Sequence, residues 1–182
     1  LKAQGIDLFP LMDELVRDYL NYVSDAGESG DKHQAEKEAN TYWKDMLRFM
    51  EEDAAGSPLS GGVLFTGSST ARMWDVKKCF PDIPVLNRGF GGSAFSDVSL
   101  FAGEIIGTHK PDAIVLYSGD NDIAHGKSAE QTAQDCVAAV DSLRAVAPQS
   151  RIIVLGTKPS GSRWELYPVM QKSNALIAEQ LK

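Results

Sequence analysis

The sequence predicts an α/β fold, a three-layer α/β/α sandwich built on a parallel sheet. Three observations lead there. Beyond residue 62, short apolar runs alternate with helical patterns at short intervals, the order of parallel strands covered by helices on both faces. A length of 182 residues suits one such domain. A hydrophobic content of 43% supplies enough apolar material to bury a core without disulfides or metal.

In chain order, Leu8, Leu11, Met12, Leu15, Val16, Tyr19, Leu20 and Val23 recur at threes and fours, the spacing of an amphipathic helix. Residues 27–31 break it. A second helical stretch covers residues 33–53, with Tyr42, Trp43, Met46, Leu47, Phe49 and Met50 on its apolar face. Gly56, Ser57, Pro58, Gly61 and Gly62 then mark a boundary, so a helical segment at 1–55 precedes an α/β domain at 56–182. Strands are expected at 63–66, 83–86, 113–117 and 152–155. Helices are expected after residues 67–70 through Trp74 and at 95–109, 128–147 and 164–182. Ser128 is placed to cap the third of these, with Glu130 and Gln131 in its first turn and Pro148 just past its end.

Charge and cysteine usage exclude several function classes. Lys and Arg number 18 against 25 Asp and Glu, and a formal charge of −7 repels phosphate backbones and anionic lipid surfaces. No nucleic-acid partner is expected. No apolar run approaches the roughly 18 residues of a membrane span. Cys79 and Cys136 lie in apolar-patterned segments without a CxxC or a Cys/His cluster, and read as free, buried thiols. No metal site or cofactor follows. Leu1 is not an initiator Met, and the opening Leu-Lys-Ala-Gln-Gly resembles neither a signal peptide nor a natural start, so the true N-terminus is expected upstream.

In a parallel sheet, functional loops collect at the carboxyl ends of the strands. Three loops there carry chemistry. Gly67-Ser68-Ser69-Thr70 hands the first strand to a helix, a geometry that exposes a hydroxyl above a helix N-terminus; Ser69 is the candidate nucleophile. Small residues also make ordinary tight turns and phosphate-cradling loops, although no Gly-Lys-Ser/Thr follows. Asn87-Arg88-Gly89-Phe90-Gly91-Gly92-Ser93 follows the second strand. Its glycines let backbone N–H groups crowd into a small space, as an oxyanion hole requires; a flexible turn has the same composition. Gly119-Asp120-Asn121-Asp122 follows the third strand. The amide of Asn121 is a neutral, directional oxyanion donor, and an Asx turn with Asp122 as a helix cap is the alternative. One serine loop, one glycine loop and one Gly-x-Asn-Asp loop on three successive strands form a far more specific pattern than any of them alone.

The run from Val63 through Gly67, Ser68 and Ser69 to Trp74 resembles the first block of the SGNH (GDSL-like) hydrolases, in a branch where Ser often replaces the Asp of Gly-Asp-Ser. Asn87 to Ser93 resembles the second block and Gly119 to Asp122 the third; Lys158 to Trp164 is similar to a further stretch of that branch. The resemblance covers about residues 43–182. It implies the SGNH hydrolase fold, a flavodoxin-like sheet, and an ester hydrolase acting without a cofactor. It also implies Ser69 as nucleophile, with the Ser69 N–H, the Gly92 N–H and the Asn121 side chain as oxyanion donors. Substrates across the family range over small-molecule, lipid and carbohydrate esters.

A serine hydroxyl needs a base, which in this family is a His oriented by Asp in a C-terminal Asp-x-x-His block. That block is expected beyond Lys182, which leaves the fold incomplete at its C-terminus and this chain weakly active or inactive. Of the three histidines, His33 sits in a charged helix and His109 at a helix end, where it would favour the helix dipole. His125 reproduces the Asp-x-x-His spacing with Asp122, yet it follows Asn121 so closely that one short loop would have to approach the hydroxyl from two sides. A surface-loop role suits it better. Two rivals remain: a catalytically silent domain that binds an acyl or carbohydrate ligand, and a nucleotide-binding module using residues 67–70 as an anion loop.

Overall fold

The computed structural model describes residues 32–182; the helix expected over residues 8–23 and the break at 27–31 lie outside them. The helical stretch expected over residues 33–53 is two helices, α1 (Lys32–Ala39) and α2 (Trp43–Ala55). Asn40 separates them. Its side chain accepts from the Tyr42 N–H at 2.9 Å and its carbonyl from the Trp43 N–H at 3.0 Å, so the local turn competes successfully with a continuous helix.

Lys44–Lys182 forms one compact unit, and the boundary expected near Gly56 falls inside it. Its centre is a four-stranded, all-parallel sheet in the order β2-β1-β3-β4, with β1 at Val63–Gly67, β2 at Val85–Gly89, β3 at Ala113–Tyr117 and β4 at Arg151–Val154. Between them run α3 (Ser69–Arg72), α4 (Val76–Cys79), α5 (Phe95–Leu100), α6 (Ala102–Ile106), α7 (Asp120–Ala124) and α8 (Ala129–Val146). A 3-10 turn (Gly161–Leu166) leads into α9 (Tyr167–Gln180). The fold is thus an α/β sheet flanked by helices, as predicted.

Register explains the layers, because residues paired in a parallel sheet share a face. Leu64 pairs with Leu86 and Ile114, and Thr66 with Arg88 and Leu116; Leu64, Thr66, Arg88, Ile114 and Leu116 are all buried on one face. Phe65 points the other way, into Trp74 (ring centroids 5.2 Å) and Phe80 (5.5 Å) around α4. β4 is an edge strand, and beside it a groove of about 320 Å³ is lined by Ile152, Val154, Leu155, Ile177 and Leu181.

Several boundaries differ from expectation for local reasons. β2 begins at Val85 rather than Ile83, because Pro84 lacks an N–H and holds the residue before it out of the ladder; Ile83 is 45% exposed. The helix expected over 95–109 breaks at Phe101 and ends at Gly107, whose φ of 53° reverses the chain. α8 is capped as read: Ser128 Oγ accepts from the Gln131 N–H at 3.2 Å, and the Gln131 side chain accepts from the Ser128 N–H at 2.9 Å.

His109 does not serve a helix dipole. It joins a buried network around Arg88, which is 1% exposed and sits on the Phe49 ring at 4.7 Å. The guanidinium pairs with Glu52 at 2.6 Å and with Asp53. The Leu59 N–H donates to His109 Nδ1 (2.8 Å), and on the other side of the ring Nε2 lies 2.8 Å from Asp53 Oδ1 and 3.1 Å from Arg88 Nη2. These contacts bind α2 to the face of the sheet.

The reading of both cysteines as buried holds for Cys136 alone. Cys79 closes the short helix α4 and is exposed, its sulfur accepting from the Trp74 indole at 3.3 Å. Burial first, and then the nearby Asp122 carboxylate, push the Cys136 thiol up to about 12. A thiol reagent such as DTNB is therefore expected to titrate one thiol in the native chain and two in denaturant. Two fast native thiols would contradict the packing around α8. Because the folded thiol titrates above its usual value near 9, its stabilising contribution is full below pH 9 and is lost as pH rises toward 12.

Candidate active site

From β1 the chain crosses to β2 on one side of the sheet, and from β3 it crosses to β4 on the other. The loops leaving β1 and β3 diverge, which makes the carboxyl ends of these two strands the switch point of the sheet, in whose crevice proteins of this kind bind ligands. The Ser69 loop forms one wall and the Asn121 loop the other.

The strands approach closely beneath the crevice. Gly67 has a φ of 117°, and a Cβ there would run into the Tyr117 carbonyl, so only glycine fits. Its own carbonyl accepts from the Phe90 N–H, and the Ser68 N–H donates to Tyr117 O, both at 2.9 Å. Ser69 begins α3, half-buried, and its N–H belongs to the first turn, where no intrahelical acceptor exists. Its Oγ makes no hydrogen bond to a described residue.

Gly92 is exposed, with a φ of 92° that turns the loop back toward Ser93. Buried Ser93 presents its carbonyl to Asn121 Nδ2 at 3.0 Å, while its hydroxyl donates to Phe90 O at 2.9 Å. Asn121 lies on α7 and is 5% exposed. The glycine and asparagine loops are therefore in direct contact. The serine loop joins them one residue away, where Ser68 Oγ donates to Asp120 Oδ1 at 3.2 Å. Arg163, from the 3-10 turn after β4, donates through Nη1 to Asp120 Oδ2 and to Asn121 Oδ1, each at 3.0 Å. The same carboxylate, behind the effect of burial, helps to push the Tyr117 phenol above its ordinary value.

Sequence reasoning named Ser69, Gly92 and Asn121 but missed the residues that tie them together: Ser68, Ser93, Asp120 and Arg163. The available signal for Arg163 was the Lys158 to Trp164 stretch, which carried a resemblance without a role. Asn87, which opens the second block, is structural: its amide donates to Ala71 O (2.8 Å) and Trp74 O (3.0 Å) at the end of α3.

No histidine of the unit Lys44–Lys182 stands ready as a base. His109 lies before β3, at the opposite edge of the sheet from Ser69, about 15 Å away along a five-residue strand. His125 follows α7, is exposed, and makes no side-chain hydrogen bond to a described residue. Asp122 does not orient it: that buried carboxylate accepts from the Phe95 N–H at 3.2 Å and from Lys127 at 2.9 Å. Its neighbour on the other side of Lys127 is Asp135, at 2.7 Å. Burial opposes the Lys127 charge, but these two acids outweigh it and hold the ammonium above its ordinary value. His33 lies on α1, outside that unit. Among the described residues no group of His, Cys, Asp and Glu could hold a metal ion, and no helix is long and apolar enough to cross a membrane.

Comparison with known proteins bears on this arrangement. The α2 subunit of platelet-activating factor acetylhydrolase IB from Rattus norvegicus and Homo sapiens is 34% identical over 126 residues, covering 66% of this chain and 52% of the relative. The chain thus spans about half the length of these relatives. Among solved structures, a GDSL-like lipase from Bacteroides thetaiotaomicron matches with a TM-score of 0.57 at 21% identity, covering 74% of this chain and 70% of the other. A member of the lipolytic G-D-S-L family from Veillonella parvula matches with a TM-score of 0.56 at 19% identity, covering 66% and 72%. These two likenesses speak for the fold alone. The model of the GDSL-like lipase/acylhydrolase family matches residues 54–182, from the end of α2 through every loop of the crevice, and the chain belongs to that family.

Proposed function

We propose that the protein carrying this chain is a serine ester hydrolase that cleaves small acyl esters, acetyl esters foremost, through a covalent intermediate on Ser69. The observation that carries this reading is the hydrogen-bonded path Ser68–Asp120–Arg163–Asn121–Ser93, which ties the three loops together across the crevice. Ser69 Oγ attacks the ester carbonyl carbon, and the carbonyl oxygen takes up the negative charge. The Ser69 N–H, the Gly92 N–H and the Asn121 Nδ2–H stabilise it, and collapse expels the alcohol. Water then releases the acid. The chemistry needs no cofactor. The base that takes the Ser69 proton and passes it to the departing alcohol is a histidine set in an Asp-x-x-His block of the whole protein. The acetylhydrolase relatives support a short acyl group.

The test uses the full-length protein and a fluorophosphonate, with peptide mass mapping. A single adduct on Ser69 is expected, together with faster turnover of p-nitrophenyl acetate than of the palmitate ester. Asn121→Ala should lower kcat on the order of 10²–10³-fold, the usual cost of one oxyanion donor. Labelling at no serine would hand the crevice to the ligand-binding alternative.

A further inference from the structure

An oxyanion donor works only if its N–H already points at the place where charge will develop. An asparagine amide is poorly suited to this by itself, because rotation about its terminal bond exchanges a donor for an acceptor. We propose that Arg163 is the positioning residue that fixes the Asn121 amide in its donating orientation; this rests on the role of Asn121 proposed above.

Two neighbours with unambiguous chemistry determine the orientation. Arg163 has only donors, and its Nη1 faces Asn121 Oδ1 at 3.0 Å. The Ser93 carbonyl has only acceptors, and it faces Asn121 Nδ2 at 3.0 Å. Flipping the amide would set N–H against N–H on one side and oxygen against oxygen on the other, inside a residue that is 5% exposed. One Nδ2 hydrogen is used by Ser93, which leaves the second for the oxyanion. Asp120 anchors the guanidinium through Oδ2 at 3.0 Å, and Ser68 in turn donates to Oδ1 of the same carboxylate. The arginine thus reaches the crevice from the far side of β4, by way of the turn Gly161–Leu166, and its orientation reflects tertiary contact rather than sequence proximity.

Two readouts test this. In the full-length protein, Arg163→Ala should lower kcat for p-nitrophenyl acetate roughly 10–100-fold with KM within about twofold, since the lost contact matters most when charge develops. The double variant Arg163→Ala/Asn121→Ala should be no slower than Asn121→Ala alone, because both changes remove the same donor. In parallel, the Asn121 side-chain amide is followed by ¹H–¹⁵N NMR. Its two proton shifts should converge and its exchange with water accelerate in Arg163→Ala, and likewise in Arg163→Met, which keeps the aliphatic stem if the alanine variant does not fold. Additive kinetic losses, or an Asn121 amide unmoved by loss of the guanidinium, overturn the proposal. Should wild-type Ser69 take no phosphonate label, the hydrolase reading fails separately, and the amide spectrum still decides whether Arg163 holds Asn121.

Discussion

Ser69→Ala in the full-length protein is expected to reduce kcat for p-nitrophenyl acetate by about 10⁵–10⁶-fold, to the floor that oxyanion donors and binding sustain without a nucleophile. The size follows from the roles: removing the attacking atom stops covalent catalysis, whereas removing one oxyanion donor only raises its barrier. The 182-residue chain by itself should sit near the same floor with Ser69 intact, at roughly 10³–10⁴ over water, because neither His109 nor His125 is set to take the proton. His125→Ala should change that residual rate little. Steady-state kinetics on the four proteins checks this. A fully active 182-residue chain that His125→Ala inactivates would make Asp122 and His125 the working pair and remove the need for a further histidine.

Asp53→Ala is expected to destabilise the fold by about 3 kcal/mol, toward the lower end of the usual cost of breaking a buried ion pair. The Asp53 side chain is 11% exposed and lies between Arg88 and His109, so its loss leaves a guanidinium that is 1% exposed with Glu52 as its remaining carboxylate. Glu52 is 47% exposed, and part of its pairing energy is already lost to solvent, which limits the compensation. Arg88 Nε has no hydrogen-bond partner among the described residues even in the intact network. Urea unfolding should show a lower midpoint with nearly unchanged slope. Replacing Arg88 and Asp53 together by Met and Leu should cost less than Asp53→Ala alone, because no unpaired charge then remains buried. A loss below about 1 kcal/mol for Asp53→Ala would mean that water reaches Arg88 and that the network does not hold α2 to the sheet.

Elements governed by local chemistry were legible in the sequence. The four strands, the Ser128 cap with Gln131, and the placement of Ser69, Gly92 and Asn121 just past the carboxyl ends of three successive strands follow from hydrophobic period, turn residues and motif order. Errors arose where a residue's fate depends on distant neighbours. His109 looked like a helix-end residue, yet its partners Leu59 and Asp53 lie about fifty residues earlier. Cys79 sits in an apolar pattern, but α4 is too short to cover it. Arg88 occupies a glycine-rich motif and turned out to be a fully buried strand residue.

The sequence by itself determined that this chain is a parallel α/β protein with three polar loops at one edge of its sheet, because strand period and glycine placement are properties of neighbouring residues. Only the tertiary structure decided how those loops meet. The crevice arises from strand order, with β1 between β2 and β3 so that successive crossovers diverge. The path through Asp120 and Arg163 joins residues 43 positions apart, a contact that exists only once β4 has paired with β3 and carried the turn at Gly161–Leu166 back over the crevice. A hydrogen bond across that separation has no local signature, since its geometry is set by packing rather than by the backbone preferences of either partner.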